Sequence, residues 1–352
     1  MHSRFVKVIG LMSGTSLDGL DIVYVKFDKK EVKNFKIIYS ETTKYSEDWE
    51  ERLREGISKN KQELIALDED YAVLLADKIA DFISKFKIID IDFIASHGHT
   101  ILHKPNEGYT LQIGNGAIIS QRTNLKVICD FRTQDVKLGG QGAPLVPIGD
   151  ELLFSQYDAC LNLGGFANIS FKKGDSRIAF DICPVNIVLN HYVQKLGFEY
   201  DDKGELASEG EIDAALLKKL NELPFYKKQY PKSLGLEWVQ EQILPLIATF
   251  DISIPIILRT FVEHVAIQIT NSLNGKNEVL ATGGGVFNSF LIERIKELST
   301  AKIIIPPKSL IDYKEALIFA FLGVLRSENQ VNCLESVTGA SKDHSSGVIF
   351  YP

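Results

Sequence analysis

Basic residues do not dominate this chain: 39 Lys and Arg stand against 46 Asp and Glu, a formal net charge of -7. Nucleic acid or an anionic membrane surface therefore finds no general electrostatic attraction, and any anionic ligand has to be held by a local site. Cysteine is equally sparse. Cys129, Cys160, Cys183 and Cys333 lie far apart, lack the CxxC spacing of a zinc site and each sit in or beside an apolar stretch, which reads as reduced, buried thiols. Long apolar runs are missing too, since no segment reaches the ~18 uninterrupted apolar residues of a membrane span. The first residues, MHSRFVKVIG, lead straight into a predicted strand, without the apolar core or small-residue cleavage site of a leader. These absences predict a soluble, cytoplasmic protein that engages neither nucleic acid nor membrane.

What is present is a globular composition, 45% hydrophobic and 24% charged over 352 residues, a length at which one core ordinarily gives way to two domains. β-Branched-rich runs from Phe5 to Leu11 and Ile22 to Phe27, continued by Phe35 to Ser40, predict a strand meander. The period then changes. Leu64, Leu67, Tyr71, Leu74, Leu75, Ile79 and Phe82 share one helical face. Short strands are expected at Phe93 to Ala95 and Lys126 to Cys129, with a helix over Gly116 to Thr123 between them. The segment KLGGQGAPLVPIGD concentrates Gly and Pro and reads as a domain boundary, giving domains of 1–145 and 146–352, with the C-terminal helix able to pack back on the first. After it, DACLNLGGFANISFKKGDSRIAFD repeats the opening order of strand, glycine turn, strand, turn, strand, which implies a duplicated β-meander. Helical periods follow, among them Val185 to Leu196 and Ile254 to Ser272, then a strand at Glu278 to Ala281 and an apolar helix from Glu315 to Arg326. The pattern is α/β.

Three glycine sites carry the chemistry. In VIGLMSGTSLDGLDIVYVKFD, the residues Ser13, Gly14, Thr15, Ser16, Leu17, Asp18 and Gly19 separate two strand-like runs, with Asp21 just beyond. Such residues make ordinary tight turns. They also supply backbone N–H groups and hydroxyls for phosphate oxygens and, through Asp18, a ligand for a hydrated cation. The turn matches neither the P-loop nor the dinucleotide fingerprint. Gly164 and Gly165 form a second such turn, and Gly283, Gly284 and Gly285 in ATGGGVFNS follow a buried strand, where a nucleobase or ribose could approach the backbone closely. Together they read as a nucleotide cleft.

The runs GLMSGTSLDGLDIV, SHGHT, LQIGN, DFRTQDV, GGQGAPLVP, LNLGGFANIS, FDICPVN, PKSLGLE, GGGVFN and VTGA, in this order, resemble the anhydro-N-acetylmuramic acid kinases of peptidoglycan recycling. The resemblance implies the two-domain actin-like and sugar-kinase (ribonuclease H-like) fold, ATP with Mg²⁺, and a homodimer. It also implies cleavage of a 1,6-anhydro ring by water with phosphorylation of O6, giving N-acetylmuramic acid 6-phosphate. On the matching motifs, Asp181 is the implied catalytic base, Arg132, Thr100 and Glu315 the implied sugar contacts, and Asp18 the implied metal ligand. Closure of the cleft is expected to order the reactants. Three departures stand out: CPVN (Cys183 to Asn186) replaces the family's GPGN, His99 stands where the family has glutamine, and Leu234 and Leu236 in PKSLGLEW stand where it commonly has Thr and Arg.

Other readings remain open at this point. Asp181 could be a helix N-cap, Arg132 could pair with Asp130 or Asp135, and Glu315 could be a first-turn helix acid. His97, His99 and His103 could suggest zinc, but no carboxylate or cysteine of suitable spacing joins them. An ordinary hexose or amino-sugar kinase, or a nucleotide-binding switch without sugar chemistry, would share the cleft.

Overall fold

The computed structural model of the chain describes residues 4–14, 16–17 and 19–352. Its first sheet begins with β1 (Phe5–Ser13), β2 (Leu20–Asp28) and β3 (Phe35–Thr43), an antiparallel meander in which Phe5 lies opposite Asp28 and Ser13 opposite Leu20. The helix Lys61–Phe86 then crosses the sheet. Asn60 caps it by accepting from the backbone N–H groups of Gln62 and Glu63 while the Glu63 carboxylate accepts from the Asn60 N–H, so that two orphan donors are met reciprocally. Its buried Leu67, Leu75, Ile79 and Phe82 each remove enough apolar surface to contribute about 1.5–3 kcal/mol. The crossing delivers β4 (Phe93–Lys104) parallel to β1. On the flank of β4 opposite β1, β5 (Tyr109–Ile113) folds back antiparallel along its later residues and β6 (Val127–Cys129) lies parallel to its start.

β4 is far longer than the strand expected from Phe93 to Ala95. The polar run SHGHT hides it from apolar periodicity, yet the run is a buried strand because β1 and β5 supply its hydrogen bonds.

The second sheet repeats the plan. β7 (Ala159–Leu163), β8 (Phe166–Lys173) and β9 (Ser176–Pro184) form an antiparallel meander, and β10 (Glu278–Thr282) and β11 (Lys302–Ile304) add in parallel beyond β7. The helix Ile254–Ser272, with Pro255 in its first turn, leads toward β10 and is buried on most sides, including Leu258, Phe261, Val262, Val265 and Ile269. Strand order is β11-β10-β7-β8-β9 here and β6-β4-β1-β2-β3 in the first sheet. A meander followed by two parallel strands on its first member, present twice, is the ribonuclease H-like topology duplicated in actin-like proteins and sugar kinases.

The chain divides into Met1–Leu153 with Tyr313–Pro352, and Phe154–Asp312. The first unit thus runs eight residues beyond the expected boundary at 145 and takes back the chain from Tyr313, including the C-terminal helix that the sequence reading allowed to pack there. The helix Val146–Leu153 stays with the first unit because Asp150 forms a buried ion pair with Lys314 at 2.8 Å and Gly149 packs against Ile318. Within the helix Lys308–Ser327, the residues from Ala316 to Leu322 are buried in that unit, and β12 (Val348–Phe350) closes its sheet antiparallel to β6. Among the described residues no helix is long and apolar enough to cross a membrane.

Candidate active site

In the first unit the opening turn joins β1 to β2. Thr15 and Asp18, expected to contact phosphate and metal, lie outside the described residues. Around them, Leu17 N–H donates to Gly14 O at 3.4 Å, and Leu17 has a left-handed φ of 62°. Gly19, at φ 148°, sits so close to Thr43 that a Cβ would lie 2.7 Å from its carbonyl. Ser13 is buried at the foot of the turn: Tyr45 donates to its Oγ at 2.7 Å, and His99 Nδ1 is 2.8 Å away. Burial pushes His99 down to about 4, so this network is neutral near pH 7. The Ser13 hydroxyl is therefore engaged inside the protein. Asp21, on β2, accepts from Thr42 Oγ1 of β3 at 2.6 Å.

Arg132 follows Asp130, whose backbone is left-handed (φ 57°) and whose carboxylate accepts from Thr133 N at 3.3 Å at the start of the helix Thr133–Lys137. This turn aims the guanidinium at His97. Nε and Nη2 both donate to His97 Nε2, at 3.0 and 2.9 Å, and Nη1 donates to Gly142 O at 2.6 Å. Because His97 Nε2 is the acceptor, its proton sits on Nδ1 and is donated to Gly98 O at 2.9 Å. Burial, reinforced by the charge of Arg132, holds His97 well below the usual imidazole range. Burial also pushes Arg132 down to about 10, opposed by Glu315, so it remains a cation. One N–H on each terminal nitrogen is left for a ligand. The ion pair with Asp130 or Asp135 left open by the sequence does not form; Asp135 instead accepts from Gly142 N and Thr338 Oγ1. Thr100, on β4, accepts from Gln112 Nε2 at 3.3 Å, and the buried Gln112 Oε1 has no partner among the described residues.

In the second unit Asp181 lies within β9, which runs on to Pro184 beyond the expected end at Asp181. Strand register sets Asp181 opposite Asn168, Asn168 opposite Asn162, and Asn162 opposite Thr282. Opposed residues share a face, so four polar side chains form a row across the sheet. Asp181 Oδ2 accepts from Leu234 N at 2.8 Å, and burial raises its pKa from the ordinary carboxylate value. The five second-unit glycines expected at the site differ in kind. A Cβ on Gly283, which has φ 85°, would lie 2.6 Å from Leu163 O, and one on Gly285 would lie 2.8 Å from Leu163 Cβ, so these two are glycine for packing. Gly164 and Gly165 would meet nothing closer than 3.6 Å, and Gly284 nothing within 4 Å. Nothing inside the second unit demands glycine there, and all three leave backbone open to an approaching group.

A family model described as anhydro-N-acetylmuramic acid kinase matches residues 6–352. The chain belongs to the anhydro-N-acetylmuramic acid kinase family. The anhydro-N-acetylmuramic acid kinase of Pseudomonas syringae pv. tomato is 35% identical over 97% of this chain and 98% of its own length, and that of Haemophilus influenzae is 34% identical over 97% of each. Among solved structures, component A of the (R)-2-hydroxyglutaryl-CoA dehydratase of Acidaminococcus fermentans superposes with a TM-score of 0.47 at 12% identity, over 90% of this chain and 96% of that one.

In this anhydro-N-acetylmuramic acid kinase family member, Arg132, Thr100 and Glu315 fall in the first unit, while Asp181, Gly164, Gly165 and Gly284 fall in the second. Sequence reasoning named His97 only as a metal candidate that it set aside, and did not single out Gln112, Asn162 or Asn168. Their signal was polarity inside otherwise strand-like runs, in SHGHT, LQIGN and LNLGGFANIS. The CPVN departure is absorbed locally: Cys183 and Val185 are both buried, neither has a positive φ, and Val185 N–H donates to Gly165 O at 2.8 Å.

Proposed function

We propose that this kinase cleaves the 1,6-anhydro ring of 1,6-anhydro-N-acetylmuramic acid with water and transfers the γ-phosphoryl group of ATP to O6. The observation that carries the reading is Asp181. One carboxylate oxygen is held by the Leu234 N–H while the other has no hydrogen-bond partner among the described residues, and burial raises its proton affinity toward that of a working general base. Asp181 takes a proton from water as the water oxygen bonds to C1. The C1–O6 bond breaks with oxocarbenium character, and O6 bonds to the γ-phosphorus as the bond to ADP breaks. The products are N-acetylmuramic acid 6-phosphate, ADP and one proton, which leaves through Asp181.

The planar fork of Arg132 suits the lactyl carboxylate of the sugar, with His97 and Gly142 O fixing its plane. Thr100 and Glu315 take further sugar contacts. The residues from Ser13 to Gly19, with Gly164, Gly165 and Gly284, cradle the phosphates and nucleotide, and the open Cβ positions at the last three support this. Mg²⁺ would neutralise phosphate charge. The oxygen donors around the first turn, Asp18 with Asp21 nearby, are of the hard type it prefers. We place the enzyme in the cytoplasm as a homodimer.

The test is reaction with ATP, Mg²⁺ and the anhydro sugar in ¹⁸O-water, read by mass spectrometry, with Asp181→Asn alongside. A phosphorylated sugar carrying one solvent oxygen, absent in the variant, is expected. Recovery of intact anhydro sugar while ATP still binds would overturn the substrate, and phosphorylation without solvent oxygen would mark an ordinary sugar kinase.

A further inference from the structure

The first unit holds a buried cluster that the phosphoryl-transfer chemistry does not use. Asp135 comes from the helix Thr133–Lys137. Cys333 and His344 face each other across an antiparallel bridge, each N–H donating to the other's carbonyl at 3.1 Å, which turns both side chains to one face. Exposure is 0% for Asp135, 1% for Cys333 and 5% for His344. Their ligand atoms all lie within 4.8 Å of one another.

The histidine is the telling member. Nδ1–H donates to Lys342 O at 3.1 Å, so the neutral ring carries its lone pair on Nε2. Among the described residues that buried nitrogen has no hydrogen-bond partner, and it stands 3.5 Å from Asp135 Oδ1. Two acceptors in the dry interior repel unless a cation lies between them. A proton shared as a hydrogen bond would draw the atoms to about 2.7–3.2 Å. A tetrahedral zinc-class ion, with metal–nitrogen and metal–oxygen bonds of about 2.0–2.2 Å, holds them about 3.4 Å apart. The observed spacing is the second.

We propose that Asp135, Cys333 and His344 bind one zinc-class divalent cation, with Cys333 losing its thiol proton as the metal enters. The inference stands independently of the sugar reading. The site ties the segment carrying Cys333 and His344 to Asp135. Asp135 holds Gly142 N, and Gly142 O holds Arg132, so the ion stiffens the loop that aims the arginine.

Because the cluster is buried, it has to load as the chain folds. The full chain is therefore produced in zinc- and in cobalt-supplemented medium, freed of loose metal, and analysed by plasma mass spectrometry and absorption spectroscopy. About one metal per chain is expected, and the cobalt form shows the thiolate charge-transfer band and intense d–d bands of a tetrahedral site. Cys333→Ala removes the charge-transfer band. Both it and His344→Gln weaken retention by at least the roughly 10–100-fold that loss of an outer-shell partner costs, with circular dichroism unchanged. Wild-type protein that retains neither metal overturns the proposal. So does metal retained equally by Cys333→Ala.

Discussion

At the scale of single residues, the fold shifts the protonation of groups in the proposed site. Burial raises the Asp181 pKa, so its charged form is less stable in the folded than in the unfolded protein. Asp181→Asn is expected to lower kcat by about 10²–10⁴, the usual contribution of a general base. It should also raise the thermal midpoint at pH 7, where the wild type carries a disfavoured charge. That gain should shrink as pH falls through the folded pKa toward the unfolded value of about 3.9. Thermal melts of both proteins across pH check the sign, and a gain that grew on acidification would contradict it. For the same reason the acidic limb of the wild-type rate profile should be shifted upward from that of a free aspartate. Arg132→Lys keeps the charge but loses the fork, and KM for the sugar should rise about 10- to 100-fold. With a substrate whose lactyl carboxylate is an amide, wild type and Arg132→Lys should converge. An undiminished gap would place Arg132 elsewhere.

At the scale of elements, turns separate structural glycines from those left open. Gly165→Ala adds a Cβ whose nearest neighbour is 3.8 Å away, so the melting temperature should hold while KM for ATP rises at least tenfold. Gly283→Ala combines a positive φ with contact against Leu163 O and should cost about 1–3 kcal/mol of stability in urea titrations. If both variants merely destabilised, the open glycines would be structural too. Both meanders could be read from sequence because their strands are apolar and β-branched. β4 beyond Ala95 could not, since SHGHT carries no apolar period and is a strand only through its partners. The CPVN change was legible as a departure, but its consequence was not. Only the buried packing of Cys183 and Val185, at negative φ, shows that the glycines' extra freedom is not used here.

At the scale of the whole molecule, the chain returns to the first unit from Tyr313, and the Lys314–Asp150 pair helps fasten that return, with side chains only 7% and 5% exposed. Lys314→Met should cost about 3–5 kcal/mol in urea unfolding, because it strands a buried carboxylate. The double variant Lys314→Met with Asp150→Leu should recover most of the loss, since two well-packed apolar groups need no counter-ion. Failure of the second change to compensate would assign the pair's role to its other contacts.

The sequence by itself determined the α/β alternation, the duplicated meander, the three glycine turns and the motif order that marks the family, because each is written in residues adjacent along the chain. Tertiary structure alone decided which side chains act together. It set His97 behind Arg132, lined Asp181 up with Asn168, Asn162 and Thr282, moved the unit boundary past Leu153, and gathered Asp135, Cys333 and His344. These partnerships join positions far apart in the chain, and periodicity and local propensity carry no record of distance through space.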